Sequence, residues 1–292
     1  MKRFALVVIA LLAAMIVLPP LWFAAFPAER TELPPPESFV DLSTGNRMHY
    51  LEAGGDGPPI VLVHGLPGTA YDWKALVPAL AASGRRVLAI DRIGYGYSGP
   101  RVDGNYSLRA NTEDLLAFLE ALDLEDALVV GWSYGGVMAM DAAVVDPSRI
   151  ASIALVASGG PRSADDSPPE AGAAVRFFYS GPVLRWRSWV PPLARGLMSV
   201  LSAQAFSEGP QPDWWLPQLQ ANFARWETTW SYRGEILAPI ETVLALDAIE
   251  LPTLVVHGPT TGSHLSRSGA TCRRRFPVLS TWRSTVGHTC CP

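Results

Sequence analysis

Cysteine is absent from the first 271 residues of this 292-residue chain, and Cys272, Cys290 and Cys291 all fall in the last 21. Their odd number and loose setting exclude a compact disulfide framework, and no zinc-type spacing is present. A cationic excess is also missing. Lys and Arg number 23 against 27 Asp and Glu, a formal net charge of −4, so no basic surface is available to nucleic acid and that class of partner is excluded. Internal repeats are lacking, and no Asp or Glu follows Glu250.

One long apolar run does occur, at the start. Lys2 and Arg3 precede an uncharged stretch from Phe4 to Phe26, interrupted by Pro19-Pro20 and long enough to span a bilayer. A secretory signal peptide would share its basic start, but no convincing Ala-x-Ala cleavage site precedes Glu29, so residues 1–26 are expected to be an uncleaved signal anchor. Lys2 and Arg3 then stay in the cytoplasm, and the remainder is exported to the periplasm or cell exterior, with secretion as the alternative. Residues 27–36, with Leu33-Pro34-Pro35-Pro36, read as a stiff linker. The following 256 residues suit one α/β domain with an insertion.

The pentapeptide Gly131-Trp132-Ser133-Tyr134-Gly135 lies between an apolar run, residues 127–130, and a helix-like run, residues 137–145. A strand, a cramped turn and a helix in that order form a nucleophile elbow, with glycines where a Cβ would strike neighbouring backbone. Such a turn presents the Ser133 hydroxyl. It also aims the Tyr134 amide and the positive helix end at the place where a substrate oxygen gains charge.

Two further segments fit this arrangement. Residues 59–63 read as a buried strand entering the turn His64-Gly65-Leu66-Pro67-Gly68, ahead of a helical stretch over 71–83. Residues 86–90 read as another strand, ending in Asp91-Arg92-Ile93-Gly94-Tyr95-Gly96-Tyr97-Ser98. Together the three motifs resemble the α/β-hydrolase fold family, in its branch with a His-Gly-x-Pro oxyanion loop. The resemblance covers residues 40–160 and a strand at 252–257.

The resemblance implies a mostly parallel sheet flanked by helices, with the core in residues 37–160 and 247–292 and a helical cap over 161–246. It implies Ser133 as nucleophile, the amides of Leu66 and Tyr134 as oxyanion hole, and His64 with Gly65 as shapers of the oxyanion loop rather than bases. Serine at the elbow separates the chain from relatives with an aspartate nucleophile, which open epoxides or displace halide. An ester, amide or C–C bond is therefore expected, first a small or medium apolar carboxylic ester, hydrolysed through an acyl-enzyme without metal or organic cofactor; a C–C hydrolase or perhydrolase would use the same residues. The cap holds six of the ten tryptophans, Trp186, Trp189, Trp214, Trp215, Trp226 and Trp230, most of which are expected to pack the cap while one or two line an apolar pocket.

A serine needs a base, and the base an acid, in the order Ser, Asp or Glu, His. The acid belongs just after the strand at 253–257, within Gly258 to Thr261, where none occurs. Asp165 and Asp166, near an alternative acid position, read as solvated loop charges. His288 is the late histidine at the expected distance for the base; His257 and His264 read as strand-end and loop residues. From Thr260 onward 33 residues hold 11 Ser or Thr, five Arg and only four Leu, Ile or Val, too few to build a closing strand and helix. The tail reads as translated out of frame. Joining each third base to the next two bases permits Asp across Thr260 and Thr261, and Asp-Gly-Gly-Ala-His-Met-Leu-Pro over residues 284–292. If the tail is native instead, the chain is a tethered, catalytically defective protein able at most to bind a ligand.

Overall fold

In the computed structural model the described residues are 34–159, 173–188, 211–223, 225–237 and 246–256, with separate positions between 13 and 25 and between 190 and 199. The chain divides into two compact units, residues 1–34 with 171–233 and residues 35–170 with 234–292.

The larger unit is built on one seven-stranded sheet. Its strands are β1 (Ser38–Asp41), β2 (Arg47–Gly54), β3 (Gly57–Val63), β4 (Arg85–Ile90), β5 (Ala127–Trp132), β6 (Ile150–Val156) and β7 (Thr253–Val256), in the spatial order β1-β2-β4-β3-β5-β6-β7. The β1/β2 and β2/β4 pairs are antiparallel and the others parallel. Side-chain alternation divides the core between the two faces of the sheet. Val61, Val63, Leu88, Ile90 and Val129 face helices α2 (Leu108–Ala121) and α3 (Tyr134–Val145), while Ile60, Leu62, Val87, Ala89 and Val130 face Tyr71, Trp73 and Val77. Each of these large apolar side chains removed from water contributes about 1.5–3 kcal/mol before conformational entropy is counted.

The helical stretch expected over 71–83 is split into a 3-10 turn at Ala70–Trp73 and helix α1 at Leu76–Ala81. Pro78 has no N–H to give the Lys74 carbonyl, so a continuous ladder cannot cross the junction. Helix α3 begins three residues before the expected run at Val137, because the elbow carries Gly135 and Gly136 into helical geometry. Ser107 starts α2 by accepting the Ala110 amide at 3.3 Å.

After β3 the chain turns back through α1 to β4; after β4 it crosses through α2 to β5, on the other side of β3. The strand order reverses between β3 and β5. Their carboxyl ends therefore bound the crevice where open α/β sheets bind ligands.

The smaller unit is helical, with α4 (Ala173–Phe178), α5 (Gly181–Ser188), α6 (Trp215–Phe223) and most of α7 (Trp226–Leu237). Rings pack within it: Phe223 meets Tyr232 edge-on at 5.2 Å, Trp214 meets Trp215 at 6.0 Å, and the Arg233 guanidinium lies 4.8 Å over Trp230. Trp189 and the Trp226 side chain lie outside the described residues. Residues 16–22 are helical and expose Ile16, Leu18, Leu21 and Trp22. Among the described residues no helix is long and apolar enough to cross a membrane, so the expected N-terminal span finds no support there; residues 1–12 lie outside them.

Candidate functional site

Ser133 stands at the carboxyl end of β5 with φ 54° and ψ −115°, a conformation unusual for a residue with a Cβ. Close packing holds it there. A Cβ on Gly131 would lie 2.3 Å from the Gly135 oxygen, and one on Gly135 would lie 2.3 Å from the Val63 oxygen. The Ser133 amide donates to the Val156 carbonyl at 3.0 Å, and the Gly136 amide to the Ser133 carbonyl at 3.1 Å. Ser158 closes the turn from β6, donating to the Gly131 carbonyl at 3.3 Å. The Ser133 side chain does not cap the helix it begins, and the residue is half-buried.

The turn after β3 lies directly beside it. A Cβ on Gly65 would come within 2.9 Å of Ser133 Cβ, so only glycine lets residues 65 and 66 approach this closely. His64 is fully buried beneath the turn. Its Nε2 accepts the Arg92 amide at 3.0 Å, which leaves Nδ1 to donate to the Gly65 carbonyl at 2.8 Å. Burial, then the Arg92 charge, hold its pKa well below the imidazole range. A neutral imidazole with both nitrogens engaged by main chain has neither proton nor lone pair to offer a substrate.

Two buried polar clusters tie the segment after β4 to this turn. In the first, the Asp91 carboxylate accepts the Ala70 amide at 2.7 Å, the Tyr97 amide at 2.8 Å and His49 Nδ1 at 2.7 Å, while His49 Nε2 accepts the Glu37 amide at 3.1 Å. Gly96, at φ 52°, leaves the carboxylate room: a Cβ there would sit 2.0 Å from it. In the second, Arg92 donates to Glu235 through both terminal nitrogens, at 2.6 and 3.3 Å, and Glu235 also accepts Tyr95 Oη at 2.6 Å and Asn111 Nδ2 at 3.0 Å. Burial pulls the Arg92 pKa down, but Glu235 together with Tyr95 and Tyr134 more than offsets this and the net direction is up. Burial, then Glu235, push the Tyr134 phenol up, keeping it neutral.

Of the residues the sequence nominates, Ser133, Tyr134, His64, Gly65 and Leu66 come together at the ends of β3 and β5. His288, His257, His264, Asp165 and Asp166 lie outside the described residues, as do residues 258–261. Sequence reasoning missed the Asp91–His49 and Arg92–Glu235 pairs. The Asp-Arg of the motif after β4 signalled the first member of each, whereas Glu235 sits in a stretch with no motif and His49 lies on β2, in the hairpin with β1. Among the described residues no cluster of His, Cys, Asp and Glu could hold a metal ion.

A half-buried strand-to-helix serine and a glycine-rich turn at the sheet's switch point define a class of protein: α/β enzymes that act from the carboxyl edge of the sheet. The model of the alpha/beta hydrolase fold matches residues 58–259, and the chain belongs to that family. The bifunctional epoxide hydrolase 2 of Sus scrofa is 38% identical over 118 residues, 40% of this chain and 21% of that protein. Epoxide hydrolase A of Mycobacterium tuberculosis is 37% identical over 150 residues, 50% of this chain and 46% of that one. The chain thus spans about a fifth and about half of these two relatives. A solved esterase from Exiguobacterium antarcticum superposes with a TM-score of 0.62 at 17% identity, over 84% of this chain and 89% of that one, a likeness of fold.

Proposed function

We propose that the gene encodes a serine hydrolase of small apolar carboxylic esters, with Ser133 as nucleophile and the amides of Leu66 and Tyr134 stabilising the tetrahedral oxyanion. The observation that carries this reading is a serine, not a carboxylate, on the strained turn at the end of β5. Two relatives are named epoxide hydrolases, but a serine at this position favours different chemistry. Attack by serine on an epoxide or a haloalkane leaves an alkyl ether on the enzyme, which water does not cleave under mild conditions. Attack on an ester leaves an acyl-serine, which water does cleave. Ester turnover closes the cycle with the residue present.

The acid and base come from the tail in the shifted frame: Asp across codons 260 and 261 and His across codons 288 and 289. This agrees with a family match that ends at residue 259. The chain as written is the second reading, a defective hydrolase-fold binder, favoured by the lack of any carboxylate after Glu250. The apolar run behind Lys2 and Arg3 anchors either product in a membrane with the enzyme outside the cytoplasm. Cell fractionation, with protease applied from outside, tests that placement; a product found wholly in the cytoplasmic fraction contradicts it.

The decisive assay sets a panel of p-nitrophenyl esters beside styrene oxide and a 1-haloalkane, with Ser133→Ala as control. Ser133-dependent ester turnover with none of the other two is expected. Turnover of the epoxide that depends on Ser133 would contradict the proposal.

A further inference from the structure

The Arg92–Glu235 pair is buried, with side chains 1% and 0% exposed. Buried ion pairs add little net stability relative to a well-packed apolar replacement, so stability gives no reason for this one. Its geometry does. The Gly65 carbonyl accepts two donors, His64 Nδ1 at 2.8 Å and an Arg92 terminal nitrogen at 3.2 Å. Gly65 and Leu66 share a trans peptide plane, in which the Gly65 carbonyl and the Leu66 N–H point in opposite directions. Holding the carbonyl down on Arg92 therefore aims the Leu66 N–H the other way and polarises it.

The same guanidinium contacts the side chain of the residue that carries the second donor. Its carbon lies 4.7 Å over the ring of Tyr134, whose amide heads α3 beside Ser133, and 4.6 Å over the ring of Tyr95. Glu235 fixes the guanidinium by a two-point grip and is itself held by Tyr95 and Asn111.

We infer that Arg92, clamped by Glu235, is a positioning residue that aims both main-chain oxyanion donors, so that a charge pair remote from substrate governs the rate of acylation and not the binding of the acylating molecule. This rests on the reading of Ser133 as nucleophile.

The test is the kinetics of Ser133 labelling by a fluorophosphonate, with kinact and KI separated, in the full chain and in its shifted-frame counterpart. Glu235→Gln, Arg92→Met and the double change R92M/E235L are compared, with thermal unfolding measured alongside. In each variant kinact is expected to fall about 10- to 100-fold, somewhat less than the loss of a whole oxyanion donor, while KI stays within about two-fold. The double variant is expected to regain the parent's thermal midpoint without regaining kinact, a split that a purely structural pair would not show. Should Arg92→Met fail to fold, Arg92→Lys keeps the charge and is expected to show an intermediate loss of kinact. A double variant with parental kinact, or changes confined to KI, would overturn the inference while leaving Ser133 in place. Labelling of neither frame at Ser133 would overturn the nucleophile reading and this inference with it.

Discussion

Residues 58–256 and residues 260–292 obey different rules, though one chain carries both. In the first stretch every short motif has a physical partner: Gly65 makes room for Ser133, Gly96 for Asp91, and Gly131 for the backbone of Gly135. The second stretch has few apolar residues, all the cysteines and no acidic group. The site is therefore half written. On the proposed reading, the groups that attack and stabilise are present, and the groups that move protons come from the shifted frame. A hydrolase active site is assembled from separable parts, and the parts here separate along the sequence.

The largest expected effect breaks the contrast outright. Reading the gene one base over from about codon 260 should raise kcat on an activated ester by about 10⁴-fold or more, the scale on which base and acid act in a serine triad. A shifted frame that stops promptly, before codon 292, removes the explanation at the level of DNA. Weak activity of the unshifted chain is compatible with the account, because an oxyanion hole alone accelerates acyl transfer above water.

A second substitution tests the ordered stretch by itself. Gly135→Ala places a Cβ 2.3 Å from the Val63 oxygen, so the elbow must shift. A loss of roughly 1–3 kcal/mol in chemical denaturation is expected, together with loss of Ser133 labelling. Parental stability would mean that the turn is looser than described.

A third prediction concerns pH. Asp141 on α3 is buried, with Arg109 Nη2 3.2 Å from Oδ1, and burial raises its pKa above the ordinary carboxylate value despite that pairing. Its stabilising, protonated form is fully present below the unfolded value of 3.8 and is lost as pH rises through the folded value. Asp141→Asn should therefore be more stable than the parent at pH 7, and its advantage should shrink as pH falls toward 4. An advantage that grows on acidification contradicts the assignment.

The smallest effect is at the start of α2. Ser107→Ala removes the acceptor for the Ala110 amide and should cost about 1 kcal/mol by thermal or chemical unfolding, without changing any reaction at Ser133.

What could be read from the sequence follows from the range of the forces involved. The strands at 59–63, 86–90 and 127–130 were legible because strands buried on both faces appear as continuous apolar runs. The elbow and the turn after β3 were legible because backbone crowding demands glycine at fixed spacing. The split of the 71–83 helix has a local cause, the missing N–H of Pro78, which an apolar periodicity does not record. The Arg92–Glu235 pair was not legible at all. Its partners are 143 residues apart, and no local periodicity records a contact between them. His49 was opaque for the same reason, since it meets Asp91 across 42 residues.

The most direct test of the account is site-mapped mass spectrometry after treating the shifted-frame protein with a fluorophosphonate. A single adduct on the peptide bearing Ser133, absent from Ser133→Ala, is the predicted result. An unmodified Ser133 in the folded protein, or an adduct elsewhere that survives Ser133→Ala, would contradict it.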